Sequence, residues 1–141
     1  VILHQHDDNG DNGIEADNNG EDNQASPRSN PTLSNFTIIG SPDNANSDIG
    51  LQIREGTAAT ILNTAVIGFN EACLDIDQDA TWAQATSGNL VLNSVHLACA
   101  SSTAKGGSGK RAYNKFGCRS LRAPLSGRRR RDHGREHPLV K

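Results

Sequence analysis

Aromatic side chains are scarce in this 141-residue chain: one Trp, one Tyr and three Phe, with no Met. Hydrophobic residues make up only 34 %, low for a compact globule filled by large interlocking side chains. No apolar run approaches the ~20 residues of a membrane-spanning helix. No charged-then-apolar leader opens the chain, which starts at Val1 rather than Met, and the expectation is a fragment or a mature product. The three cysteines form no CxxC pair and show no zinc spacing. No Gly-rich phosphate loop follows a strand and no GxSxG string occurs, so nucleotide-loop and serine-hydrolase motifs are absent.

Basic residues are also missing, but only from one part. Residues 1–100 hold Arg28 and Arg54 against fourteen acids, a net charge of −12. Residues 101–141 hold twelve basic residues against Asp132 and Glu136, a net charge of +10. Such asymmetry divides the chain into parts with different physics. The Arg/Gly/Ser-rich segment 101–141 has neither strand nor helix periodicity and is expected to be irregular or disordered. Its RRRR run at 128–131 is a weak polyanion motif, so nucleic acid is not the expected partner. The abrupt loss of pattern near Ala100 fits either a solvated tail or translation in a shifted reading frame.

What residues 1–100 do contain is a repeat. The strings GIEADN (13–18), GLQIRE (50–55) and CLDIDQ (73–78) alternate in register. Ile14 and Ala16, Leu51 and Ile53, and Leu74 and Ile76 are the apolar positions. Glu15 and Asp17, Gln52 and Arg54, and Asp75 and Asp77 are the polar ones. Strict alternation of this kind is a half-buried strand. A second segment follows each: TLSNFTIIG (32–40), TILNTAVIG (60–68) and LVLNSVHLA (90–98). Their Asn residues, Asn35, Asn63 and Asn93, align, as do Leu33, Ile61 and Val91, then Ile39, Ile67 and Leu97. The opening VILHQH reads as the end of another such segment.

Strands recurring once per unit, with no helical pattern between them, should stack in parallel, the rest of each unit supplying the crossover. The expected fold is therefore all-β: a right-handed parallel β-helix, a solenoid of about three coils over 1–100, followed by the basic tail. The aligned Asn residues would form a structural ladder. Stacked amides hydrogen-bond from coil to coil, and Asn tolerates the left-handed backbone that a bend demands. Open coil ends would expose strand edges and favour self-association.

The strings HQHDDNGDNGIEADNN, PRSNPTLSNFTIIG, LQIREGTAATILNTAVIGF and CLDID resemble a run from secreted bacterial β-helix proteins of the lipoprotein or hypothetical type, with pectate-lyase-like architecture. The resemblance covers about residues 1–100. It implies a secreted or surface-attached location and coils missing from this chain. It brings no settled activity.

Stacking in register would place Glu15, Gln52 and Asp75 in one outward row and Asp17, Arg54 and Asp77 in the next. With strands ~4.8 Å apart, Arg54 can reach both Asp17 and Asp77. The functional reading is a polysaccharide site. The resemblance adds that β-helix lyases carry acids, an Arg and often calcium on such a face, with Arg or Lys as base. The structural reading is a salt-bridge ladder that relieves like-charge repulsion. Calcium is the one cofactor to consider. The EF-hand pattern fails at Asn12 and Asn18, which leaves a site of another kind at a turn, from Asp7, Asn9 and Asp11. His4 and His6 share one side of a strand, too few ligands for structural zinc. Cys73 and Cys99 fall in one coil, where a disulfide and two free thiols are equally consistent with the sequence. His96, matched with Ile38 and Val66, is expected in a core or rim position. Two functions compete. One is a non-catalytic, glycan-binding or adhesive segment. The other is a polysaccharide lyase or hydrolase using the acidic face.

Overall fold

The computed structural model describes residues 1–6 and 10–100, and the backbone of 105–106. Expectations for Asp7, Asn9 and the rest of the 101–141 segment, including the Arg run, lie outside the described residues. The chain feeds two sheets alternately. The first contains β1 (Ile2–His4), β3 (Thr32–Ser34), β4 (Thr37–Ile39), β6 (Ala59–Ile67) and β8 (Leu90–Ala98). The second contains β2 (Asn12–Asp17), β5 (Ile49–Arg54), β7 (Ala72–Ile76) and β9 (Lys105–Gly106). Every pairing between them is parallel. β3 and β4 are two halves of one run, broken at Asn35–Phe36, and both pair with β6. β9 continues the second sheet past residue 100.

The alternation read in the sequence is the alternation in space. Ile14, Leu51 and Leu74 stack, as do Ala16, Ile53 and Ile76. Leu51, Ile53, Leu74 and Ile76 are completely buried. Against them the first sheet packs Ile38, Ile61, Val66, Leu90 and Leu97. VILHQH does end another first-sheet strand: Ile2, Leu3 and His4 pair with Thr37, Ile38 and Ile39.

Phe69 is the largest fully buried side chain, and three glycines make room for its ring. A Cβ at Gly13, Gly40 or Gly50 would lie 2.9, 2.9 or 3.1 Å from a ring carbon, closer than side chains normally pack. Among the described residues Phe69 is the one fully buried aromatic, and it sits where the backbone carries no side chain. Cys73 and Cys99 form a disulfide with Cα atoms 5.5 Å apart, tying β7 to the residue after β8.

Two expectations are corrected. A helix, α1 (Asp79–Ser87), lies between β7 and β8. Asp79 suits its first turn, and Gly88 ends it in the left-handed conformation with φ 88. It buries Thr81, Gln84 and Ala85, so its inner face is polar and small and carries no apolar stripe.

The second correction concerns register. The first two second segments align as read, Leu33 on Ile61 and Ile39 on Ile67. In the third, Ala59 pairs with Leu90, Ile61 with Leu92, Leu62 with Asn93 and Val66 with Leu97. The expected pairing was one residue out. Such a slip exchanges inward and outward faces. Asn93 therefore falls outside the row expected for it, and Ser94 stands beside Asn63. The backbone agrees: Asn35, Asn63 and Ser94 have φ of 61, 45 and 55, while Asn93 is not among the positive-φ residues. Asn63 Nδ2 donates to Asn35 Oδ1. At the third level Ser94 Oγ donates instead to Asn93 Oδ1, 3.1 Å away.

Left-handed backbone costs an L-residue about 1–2 kcal/mol unless its side chain bonds locally. Ser94→Asn should therefore stabilise the fold by about 0.5–1.5 kcal/mol, by easing the backbone and extending the amide ladder. A raised thermal midpoint is the expected result. An unchanged or lowered one would argue against a ladder role at this position.

Candidate functional site

The register of the second sheet brings Glu15, Gln52 and Asp75 into one row and Asp17 beside Arg54. Arg54 lies across the first two levels. Its Nε donates to Asp17 Oδ1 at 2.8 Å and its Nη2 to Asp17 Oδ2 at 3.2 Å, a two-pronged pair. Nη2 also meets Glu15 Oε1. Asn12 extends the network: its Nδ2 donates to Gln52 Oε1 at 2.9 Å and to Glu15 Oε2 at 3.3 Å. Sequence reasoning missed Asn12. Its signal was present, because Asn12 stands one position before the first aligned hexapeptide and β2 begins there.

Asp77 departs from the expectation that Arg54 bridges it to Asp17. β7 ends at Ile76, and the Asp77 carboxylate instead accepts from the N–H of Gln78 at 2.8 Å, turning the chain toward α1. The ion pairs of Arg54 among the described residues are with Glu15 and Asp17, on the β2 side. Asp75 is in the expected row but only 7 % exposed, flanked by β5 and β9. The accessible part of the face is thus Asn12, Glu15, Asp17, Gln52 and Arg54.

Electrostatics narrows what this face can do. The hydrogen bond to Asp17 raises the Arg54 pKa above an arginine's ordinary value. The Asp17 and Glu15 charges reinforce it, and partial desolvation opposes it. Raising the pKa of a base in the folded state adds stability below its unfolded pKa and removes it only as pH climbs through the folded one. The Arg54 contribution thus persists below the arginine range. A guanidinium held protonated this firmly is a poor proton acceptor.

The remaining expectations have mixed outcomes. Asp11 is exposed, and its carbonyl accepts the N–H of Asp48 at 2.8 Å. Asp7 and Asn9, its proposed calcium partners, lie outside the described residues. Among the described residues no group of three or more His, Cys, Asp or Glu gathers in a metal-holding cluster. Glu21 and Asp22 stand exposed on a side loop. Asn18 and Arg28 shape that loop: Asn18 Oδ1 accepts from Ser29 N at 2.8 Å, and Arg28 reaches the carbonyls of Asn23 and Gly56. His96, expected in the core or rim, is exposed and pairs with Ala65. The one-residue register slip is the reason.

Two parallel sheets fed in turn by one chain, with stacked inward rows and a polar outer face, define a parallel β-helix. Residues 1–125 match the family described as a pectate-lyase like beta helix domain, and the chain belongs to that family. No curated protein and no solved structure matches it. The family match reaches beyond residue 100, into the basic segment. Among the described residues no helix is long and apolar enough to cross a membrane.

Proposed function

We propose that this chain is part of a right-handed β-helical solenoid of about three coils that binds polysaccharide, without cleaving it, on the outer face of its second sheet. The observation that carries this is the Asn12–Gln52–Glu15–Arg54–Asp17 network. It offers amide and carboxylate groups in a flat, repeating array, the kind of surface that takes sugar hydroxyls. Its one cation is already committed to two carboxylates. On the accessible face Glu15 and Asp17 set two acids against Arg54, a net negative charge that favours an uncharged glycan over a polyuronate. A lyase would need a free base, and Arg54 is poorly suited to that role. The Cys73–Cys99 disulfide supports export to an oxidising compartment, secreted or at the cell surface.

Affinity electrophoresis tests this reading. The chain should be retarded in gels holding neutral polysaccharide and run freely in gels holding polygalacturonate. Gln52→Ala should relieve the retardation. Arg54→Ala should also relieve it, yet lower stability by only about 0–1 kcal/mol, as exposed ion pairs do. Retardation unaffected by either change would leave the network a purely structural ladder.

A further inference from the structure

The pair Asn-Gly occurs three times, at 9–10, 12–13 and 19–20. In such a pair the glycine nitrogen, unhindered by a Cβ, can attack the side-chain amide that precedes it. The first pair begins at Asn9, outside the described residues. The fold treats the other two in opposite ways.

Asn12 and Gly13 lie in β2, beside β5. Closing a five-membered ring there requires the chain to leave the extended conformation that the parallel ladder holds. The Asn12 amide nitrogen is also tied to Gln52 and Glu15. Asn19 and Gly20, by contrast, stand exposed in the loop that follows β2. Asn19 Oδ1 accepts from the N–H of Glu21 at 2.9 Å and from that of Asp22 at 3.2 Å. Two donors on one amide oxygen polarise its carbon and stabilise the oxyanion that forms when a nucleophile adds. The Glu55 carboxylate lies against Gly20: a Cβ built there would meet Oε1 at 2.9 Å and Oε2 at 3.3 Å. That Cβ would share its Cα with the amide nitrogen, so Glu55 is within direct or single-water reach of the Gly20 N–H. An activated amide, an unhindered nucleophile and a base thus meet at one peptide bond.

We propose that Asn19–Gly20 is a self-modification site, where the fold turns asparagine into aspartate and isoaspartate with water as the only co-reactant. Gly20 N bonds to Asn19 Cγ as its proton passes to Glu55. The Cγ–Nδ2 bond then breaks, and the nitrogen leaves as ammonia with that proton. Water opens the cyclic imide at one carbonyl to give aspartate, or at the other to give isoaspartate. Either product adds a negative charge beside Glu21 and Asp22. Isoaspartate also routes the backbone through the former side chain, which breaks the bonds to Glu21 N and Asp22 N and loosens the loop tip. The core is spared, because Asn18 and Arg28 anchor the loop separately.

The test is to hold the full native chain in warm neutral buffer and locate mass changes by tandem mass spectrometry. Asn19 should gain about 1 Da, the difference between amide and carboxyl, in aspartate and isoaspartate forms, while Asn12 keeps its mass. The chain unfolded and reduced in guanidinium should react at both positions at similar rates. Glu55→Gln should slow the native reaction at Asn19 about tenfold, less than an enclosed general base contributes because the site is open to water. It should leave the unfolded-state rate and the thermal midpoint unchanged. Glu55→Asp, which keeps the charge on a shorter arm, should fall between the two. No reaction at Asn19 in the native chain, or equal reaction at Asn12 and Asn19, would overturn the proposal. An undiminished native rate in Glu55→Gln would overturn the base-assisted route.

Discussion

Phe69→Ala should destabilise the fold by about 3–5 kcal/mol, the cost of removing a buried Phe and leaving its cavity. The upper part of that range is expected, because the surroundings cannot collapse. The ring is enclosed by Gly13, Gly40 and Gly50. Glycines have no side chain to swing into the void, and the Gly50 backbone lies in β5, between β2 and β7. Phe69→Leu retains most of the volume and should cost much less. Urea unfolding followed by circular dichroism separates the cases. A loss below about 1 kcal/mol for Phe69→Ala would mean that Phe69 is not the central packing element. The converse experiment is Gly50→Ala. Its Cβ would meet Val66 Cγ1 and lie 2.8 Å from the Cys73 carbonyl, so it should be harmful despite replacing glycine by a better strand residue.

Opening the Cys73–Cys99 disulfide should have an effect of similar size. The bridge spans 26 positions, and closing a loop of that length in the unfolded chain accounts for about 3–4 kcal/mol of stability. It joins β7 of one sheet to the chain leaving β8 of the other, so it holds the two sheets together at that level. Replacing both cysteines by alanine removes the bond and keeps the buried Cys73 position apolar. The expected result is a lower urea midpoint in the double variant, matched by the native chain in reductant. Equal midpoints for the reduced and oxidised native chain would show that the sheets hold together without the bond.

The inner rows of the second sheet were legible from residues alone. Leu51, Ile53, Leu74 and Ile76 stand where strict alternation puts them, because a two-residue period with one buried face leaves little choice of register. The first sheet was legible only where turn chemistry agreed with core pattern. Asn35 and Asn63 satisfy both. In LVLNSVHLA the two signals conflict: Asn93 matches by residue type, while Leu90, Leu92, Val95 and Leu97 match by what they bury. Burial wins, since misplacing four apolar side chains costs far more than seating Ser94 in a left-handed position. The exposure of His96 was hidden for the same reason. α1 was hidden because its buried side consists of Thr81, Gln84 and Ala85, which no apolar periodicity marks. The Arg54 pairs were half legible. Asp17 pairs with Arg54, but the break after Ile76 turns Asp77 toward Gln78.

The most direct test of the central claim is a single incubation of the chain with a panel of neutral and anionic polysaccharides, followed for both binding and ultraviolet absorbance. The outer face described above predicts that a neutral glycan is bound and that absorbance stays flat, because no unsaturated chain ends form. A steady rise in absorbance with polygalacturonate, abolished by Arg54→Ala, would contradict it and make the acidic face a lyase centre.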